Sequence, residues 1–213
     1  MPLFFQQNTN EHTRLGIWHI TEEEAFFLEK VPVQRELSHP HKRLQHLAGR
    51  YLLQHLFPDF PYHEMLIANS RKPYLPDEQY HFSISHCGDY AAAIVSKSQR
   101  VGIDIEIPTP RVQKIASKFL HEEEREYLAW QTKAAQLPTD NYQLLTLLWS
   151  AKEAAFKWWS FGSVDFSEHI RLAPFTFTRD KGSMECTFIR GADSYPLSMQ
   201  YHLFPDLCLV YTT

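Results

Sequence analysis

Apolar positions along the chain change period more than once, and the changes divide it into helical and extended stretches. Between Ser38 and Pro58, Leu44, Leu47, Ala48, Tyr51, Leu52 and Leu56 recur at three- and four-residue spacing, which predicts a helix with one buried side. Its other side carries Arg43, His46 and Arg50. Ser38 is the expected cap, Pro40 fits the first turn, where a missing N–H leaves no bond unmade, and Pro58 stops the helix. Upstream, Thr21-Glu22-Glu23-Glu24 has the form of a capping box and predicts a short helix through Ala25, Phe26 and Leu28.

From residue 80 to 107 the period falls to two. Phe82 and Ile84 alternate with Ser83 and Ser85, Cys87-Gly88-Asp89 turns the chain, and Tyr90 to Ser96 returns as an apolar strand. A polar turn from Lys97 to Arg100 leads into Val101 to Ile107, so the stretch reads as a three-strand antiparallel meander. Helical spacing resumes in Val112 to Leu120, Glu122 to Gln136 and Tyr142 to Trp159. The tail from Ile170 to Tyr211 alternates again, around turns expected at Asp180-Lys181-Gly182 and Gly191-Ala192-Asp193.

Helix, meander, helix, strands in that order predicts an α+β fold in which one helix-plus-antiparallel-sheet unit is used twice. The expected halves are residues 1–100 and 101–213. No sequence identity joins them, so the repetition is an expectation about architecture.

Composition narrows the function. With 213 residues, 44% of them hydrophobic, the chain can bury a sizeable core. Lys and Arg number 21 against 25 Asp and Glu, a formal charge of −4 that excludes the broad basic surface used on nucleic acid or anionic membrane. Any anion site must be local. Met1 to Phe5 is too short an apolar run for a secretory signal, and no window approaches a membrane span, so the expected compartment is the cytoplasm. Cys87, Cys186 and Cys208 are odd in number and far apart, which predicts reduced and mostly buried thiols. Although there are 12 histidines, His39, His41, His46 and His55 lack carboxylates at ligand spacing, which argues against a histidine metal site.

Three clusters carry candidate chemistry. In Val101-Gly102-Ile103-Asp104-Ile105-Glu106-Ile107 the aliphatic residues share one strand face, and Asp104 and Glu106 the other, about 7 Å apart by the strand repeat. Two such carboxylates repel unless donors or a cation relieve them, and an all-oxygen set suits Mg²⁺. By itself an Asp-x-Glu strand is more often a solvated acidic face. In Trp149-Ser150-Ala151-Lys152-Glu153-Ala154-Ala155-Phe156-Lys157, Glu153 and Lys157 lie one helical turn apart, able to serve a metal and a phosphate or simply to pair at the surface. Trp149 and Phe156 are expected as core anchors. The third cluster is Arg71-Lys72-Pro73 with Phe82-Ser83-Ile84-Ser85-His86-Cys87-Gly88-Asp89-Tyr90, where a hydroxyl, an imidazole and turn N–H groups can converge on a phosphate.

Taken together, Lys72-Pro73, Ser85-His86-Cys87-Gly88, Gly102-Ile103-Asp104-Ile105-Glu106 and the Trp149 to Lys157 segment resemble, in content and order, the Sfp-type 4′-phosphopantetheinyl transferases. The resemblance covers about residues 35 to 160. Arg71 departs from it, standing where the family usually has glycine. The resemblance implies a pseudodimer of two similar halves with the active site in the cleft between them. It also implies Asp104, Glu106 and Glu153 as Mg²⁺ ligands, Lys157 as a phosphate partner, and Ser85 with His86 as contacts to coenzyme A. Glu153 is the candidate general base, directly or through a metal-bound water. Lys72 and, for the 3′-phosphate, Arg35, Arg43 and Arg50 are candidate coenzyme A anchors. The implied reaction moves the phosphopantetheine arm of coenzyme A to a serine of an apo acyl or peptidyl carrier protein by a monomeric enzyme. Two other readings use the same residues: a Mg²⁺-dependent nucleotide hydrolase, which the lack of a P-loop disfavours, and a non-catalytic module that binds coenzyme A or a carrier protein.

Overall fold

The computed structural model describes residues 2–31, 38–68, 72–134 and 142–213, with side chains 130–134 left aside. The chain separates into two compact units, Met1–Ile105 and Glu106–Thr213. Both mix helices with antiparallel sheet, which makes the protein α+β.

In the first unit the chain runs β1 (Leu3–Asn8), β2 (Thr13–His19), α1 (Glu24–Leu28), α2 (Pro40–Leu56), a 3-10 turn (Tyr62–Glu64), β3 (Leu66–Ile67), β4 (Pro73–Tyr74), β5 (His81–Cys87), β6 (Tyr90–Ser96) and β7 (Gly102–Glu106), whose last residue opens the second unit. Four strands form one sheet in the order β1-β2-β6-β5, all neighbours antiparallel. The strand expected over Phe82 to Ser85 is present as β5, but its polar side is covered too, with Ser83 and Ser85 buried like Phe82, and Gly88, at φ 52°, makes the turn into β6. The three-strand meander is not: the second neighbour of β6 is β2, and β7 is not a strand of this sheet. Serine hydroxyls link β7 to β5 instead, with Ile103 and Ile105 donating their backbone N–H to Ser83 Oγ and Ser85 Oγ, both at 3.3 Å.

Helix α2 buries Leu47, Ala48, Leu52, Leu53 and Leu56 in one core with Phe82, Ala91, Ala93 and Val95. Alanines on β6 leave room for the helix to lie close. The expected caps shift by one or two residues. His39, not Ser38, occupies the N-cap of α2, without a side-chain bond. The residue before a proline avoids helical angles, so His39 stays extended (φ −84°, ψ 115°) and Pro40 becomes the first helical residue. The capping box also fails: Glu23 is the N-cap of α1, and Glu22 reaches back to accept from Thr21 N at 3.2 Å and Trp18 Nε1 at 3.1 Å.

The second unit continues with a 3-10 helix (Pro110–Ile115), α3 (Ala116–Phe119), α4 (Glu122–Ala134), α5 (Tyr142–Trp159), α6 (Phe166–His169), β8 (Ile170–Leu172), β9 (Lys181–Arg190), β10 (Asp193–Leu203) and β11 (Cys208–Thr212). The helix expected from Val112 to Leu120 is therefore broken into a 3-10 stretch and a single α turn. Strands β11-β10-β9-β8 lie side by side in that order, every pairing antiparallel. Gly191 (φ 61°) makes the β9–β10 hairpin as expected, whereas Lys181 and Gly182 already belong to β9. The sheet and α5 enclose the core: Leu144, Leu147, Leu148, Ala151, Ala154 and Ala155 meet Phe188, Met199, Tyr201 and Val210. Cys186 and Cys208 are buried free thiols and Cys87 is half-buried. Burial pushes the Cys186 thiol up to about 12, leaving it protonated and inert at neutral pH. Among the described residues no helix is long and apolar enough to cross a membrane.

Candidate functional site

In the first unit, β5 and β7 bring Ser85 and Asp104 together. Ser85 Oγ donates to Asp104 Oδ1 at 2.8 Å while accepting from Ile105 N, so one hydroxyl is fixed at both ends. Asp104 is only 3% exposed, which overturns the solvated acidic face that an Asp-x-Glu strand ordinarily presents. A buried carboxylate must be compensated, and Ser85 supplies part of that compensation. His86 follows Ser85 on β5 and points outward, exposed, beside the Gly88 turn. Lys72 lies half-buried just before β4.

The arginines on α2 have distinct surroundings. Arg43 is ion-paired with Glu24 of α1 at 2.7 Å. Arg50 is 6% exposed, meets His46 Nδ1 at 2.9 Å, and faces Tyr62, whose hydroxyl is pushed up to about 12 by burial and drawn back partly by the Arg50 charge. Arg35 and Arg71 lie outside the described residues.

In the second unit, α5 presents Glu153 and Lys157 half-buried, one turn apart. Trp149, on the preceding turn, donates from Nε1 to Glu106 Oε1 at 3.4 Å. Its ring stacks on Phe166 at 5.6 Å and meets Phe119 edge-on at 5.2 Å, the anchoring role expected of it. Among the described residues, no group of three or more His, Cys, Asp or Glu side chains is gathered as a metal centre.

The residue that sequence reasoning passed over is Lys152. It has no exposed surface, sits 2.6 Å from Glu124 Oε2, and donates to the carbonyls of Phe166 at 2.9 Å and Ile170 at 2.7 Å. Its three N–H donors therefore each have an acceptor. Glu124 in turn accepts from His121 N and Leu172 N, both at 2.8 Å. Burial pushes the Lys152 ammonium below its ordinary range, and Glu124 pulls it back. The available signal was a lysine placed among Ser150, Ala151, Ala154 and Ala155 on the apolar side of α5.

The model of the 4′-phosphopantetheinyl transferase superfamily matches residues 100–211, just over half of the chain and all of the β7 and α5 motifs. The chain belongs to this superfamily. Enterobactin synthase component D of Escherichia coli (strain K12) is 36% identical over 132 residues, covering 60% of each chain. Its counterpart from Salmonella typhi is 34% identical over 137 residues, 63% of this chain and 52% of the relative. The 4′-phosphopantetheinyl transferase AcpT of Escherichia coli O157:H7 is 30% identical over 140 residues, 62% of this chain and 68% of AcpT. The chain thus spans about half to three fifths of the length of the enterobactin synthase components it matches.

Proposed function

We propose that this member of the superfamily transfers the 4′-phosphopantetheine arm of coenzyme A to a serine of an apo acyl or peptidyl carrier protein. The serine oxygen forms a bond to the phosphorus that bears the pantetheine arm, the bond from that phosphorus to the bridging oxygen breaks, and adenosine 3′,5′-bisphosphate leaves. Glu153 takes the serine proton, directly or through a water. The observation that carries the reading is the 2.8 Å bond from Ser85 to Asp104, which joins the Ser-His-x-Gly motif to the Gly-Ile-Asp-x-Glu motif.

Ser85, His86, Lys72 and the arginines Arg35, Arg43 and Arg50 are the proposed coenzyme A contacts. Lys157 serves the phosphate that reacts. Asp104, Glu106 and Glu153 are the residues that would hold Mg²⁺, an all-oxygen set of the kind this ion takes. The donors on Asp104 from Ser85 and on Glu106 from Trp149 are outer contacts of the sort that orient ligand carboxylates. When bound, Mg²⁺ neutralises charge on the pyrophosphate. The finer architecture follows the family resemblance: similar halves at 1–100 and 101–213, a pseudodimer with its active site in the cleft, acting as a monomer in the cytoplasm without nucleic acid or membrane.

Incubation with coenzyme A, Mg²⁺ and an apo carrier protein, read by mass spectrometry of the carrier, tests the reading. The expected result is a carrier heavier by one phosphopantetheine arm. Nucleotide hydrolysis with an unmodified carrier, or coenzyme A binding without turnover, would replace the transferase with a hydrolase or a binding module. Lys157→Ala should lower turnover roughly a hundredfold with little change in melting temperature, because it removes a charge that meets the transition state. Lys157→Arg should restore only part of the rate, since a planar fork misplaces that charge.

A further inference from the structure

Ser85 and His86 sit beside the turn of the β5–β6 hairpin, and a phosphate contact there needs a backbone held in one place. Three positions of α2 spaced four residues apart, His41, Gln45 and Gly49, lie along that hairpin on one side of the helix. At one end Gly49 meets Ile84 so closely that a Cβ added to the glycine would stand 2.6 Å from Ile84 Cγ2. In the middle Gln45, 6% exposed, donates from Nε2 to the carbonyl of Gly88 at 2.7 Å. At the other end His41 Nε2 lies 2.9 Å from Asp89 Oδ1. Ser85 and His86 fall between the first anchor, at residue 84, and the next, at residue 88.

Chemistry separates the roles of the three. Gly49 sets how near the helix comes and makes no polar bond through a side chain. The His41 contact is exposed on both sides, 45% and 66%, and such pairs contribute little. Gln45 is different, because a buried amide that loses its acceptor is costly, so its bond to Gly88 is strongly enforced. Gly88 carries φ 52°, the left-handed region that a tight hairpin requires at this point, and the turn around it can swing unless something holds its carbonyl. The Asp89 carbonyl, which accepts from Ile20 N at 2.7 Å, is tied on the other side of the turn.

We propose that Gln45 is a positioning residue for coenzyme A: by holding the Gly88 carbonyl it fixes the turn that orients His86, and it acts on the ligand only through that turn. This rests on the reading of Ser85 and His86 as coenzyme A contacts. Gln45→Met keeps the volume and removes the donor.

Two measurements on the full chain test it. Hydrogen exchange without ligand should show the amides of residues 86–90 exchanging about tenfold faster in Gln45→Met, while those of β2 and the middle of α2 stay near wild type. Calorimetric titration with coenzyme A should show affinity about fivefold to tenfold weaker in Gln45→Met, and no further loss when Gln45→Met is added to His86→Ala. A residue that serves only to stabilise the fold would instead weaken binding by the same factor in both backgrounds, and that outcome overturns the proposal. So does unchanged exchange at residues 86–90. If His86→Ala alone leaves coenzyme A affinity intact, the site reading itself is wrong, and the proposal falls with it for a distinguishable reason.

Discussion

Replacing Lys152 with methionine should be among the most damaging single changes available in the second unit. The substitution keeps a linear, apolar stem and deletes only the ammonium, so the loss reports on the charge and its three acceptors. Those acceptors are Glu124 Oε2 and the carbonyls of Phe166 and Ile170, which belong to α4, α6 and β8. In Lys152→Met the Glu124 carboxylate, 7% exposed, keeps its two backbone N–H donors but loses its counter-charge. Breaking a buried pair by removing one partner costs about 3–5 kcal/mol. At about 2–4 °C per kcal/mol for a chain of this size, the melting temperature should fall by roughly 6–20 °C. Glu124→Gln in the same chain removes the orphaned charge while preserving shape, so Lys152→Met/Glu124→Gln should be more stable than Lys152→Met alone. Urea denaturation followed by far-UV circular dichroism measures all three against wild type. A Lys152→Met unfolding free energy within about 1 kcal/mol of wild type, or a double variant no better than the single, would show that the pair is not the strut its geometry implies.

Gly49→Ala should destabilise by about 1–3 kcal/mol, since the new methyl meets a β-branched side chain that has little freedom to move, and Ile84→Ala in the same chain should recover part of the loss in thermal melts. Tyr62, raised to about 12 in the folded protein against 10.0 for the free group, ionises first in the unfolded chain. Its contribution is complete below pH 10 and is lost as pH rises through 12, so Tyr62→Phe should flatten the alkaline fall in stability over that window, measured by denaturation at fixed pH steps. Asp104→Ala should abolish transfer and also weaken Mg²⁺ binding to the coenzyme A complex in calorimetry; wild-type metal affinity in the variant would remove Asp104 from the proposed ligand set.

What the sequence revealed and what it concealed divide along the range of the interactions. Helix α5 is visible from Tyr142 to Trp159 because one helical period runs through it unbroken. The β5–β6 hairpin is visible because its alternation and its glycine are local. Strand β2 escapes notice because Leu15, Gly16, Ile17 and Trp18 are all buried, so a strand covered on both faces shows no alternation to detect. Its position beside β6, which displaces β7 from the expected meander, is a pairing of Thr13 with Ser96, far apart in the chain. The misplaced caps fail for a nearer reason, since Pro40 and Glu22 outweighed the residue types at Ser38 and Thr21.

The same division runs through the candidate site. Each motif can be read alone, but the feature that lifts Asp104 above an ordinary surface aspartate is a bond to Ser85, 19 residues away on another strand. Alternation correctly put Asp104 opposite Ile103 and Ile105, and then misjudged what that side faces, because period two sorts residues into faces without saying which face meets solvent. Lys152 shows the converse. It occupies a position that helical period assigns to the core, where a lysine looks like an error until Glu124, from the neighbouring helix, comes into view. Polar residues set at apolar positions are thus places where a pattern reading breaks down, and two of them stand at or beside proposed metal ligands: Asp104 is one itself, and Lys152 precedes Glu153. A side chain that must be held still while its neighbour does chemistry gains from burial and full hydrogen bonding, and Lys152, beside the proposed ligand Glu153, has both.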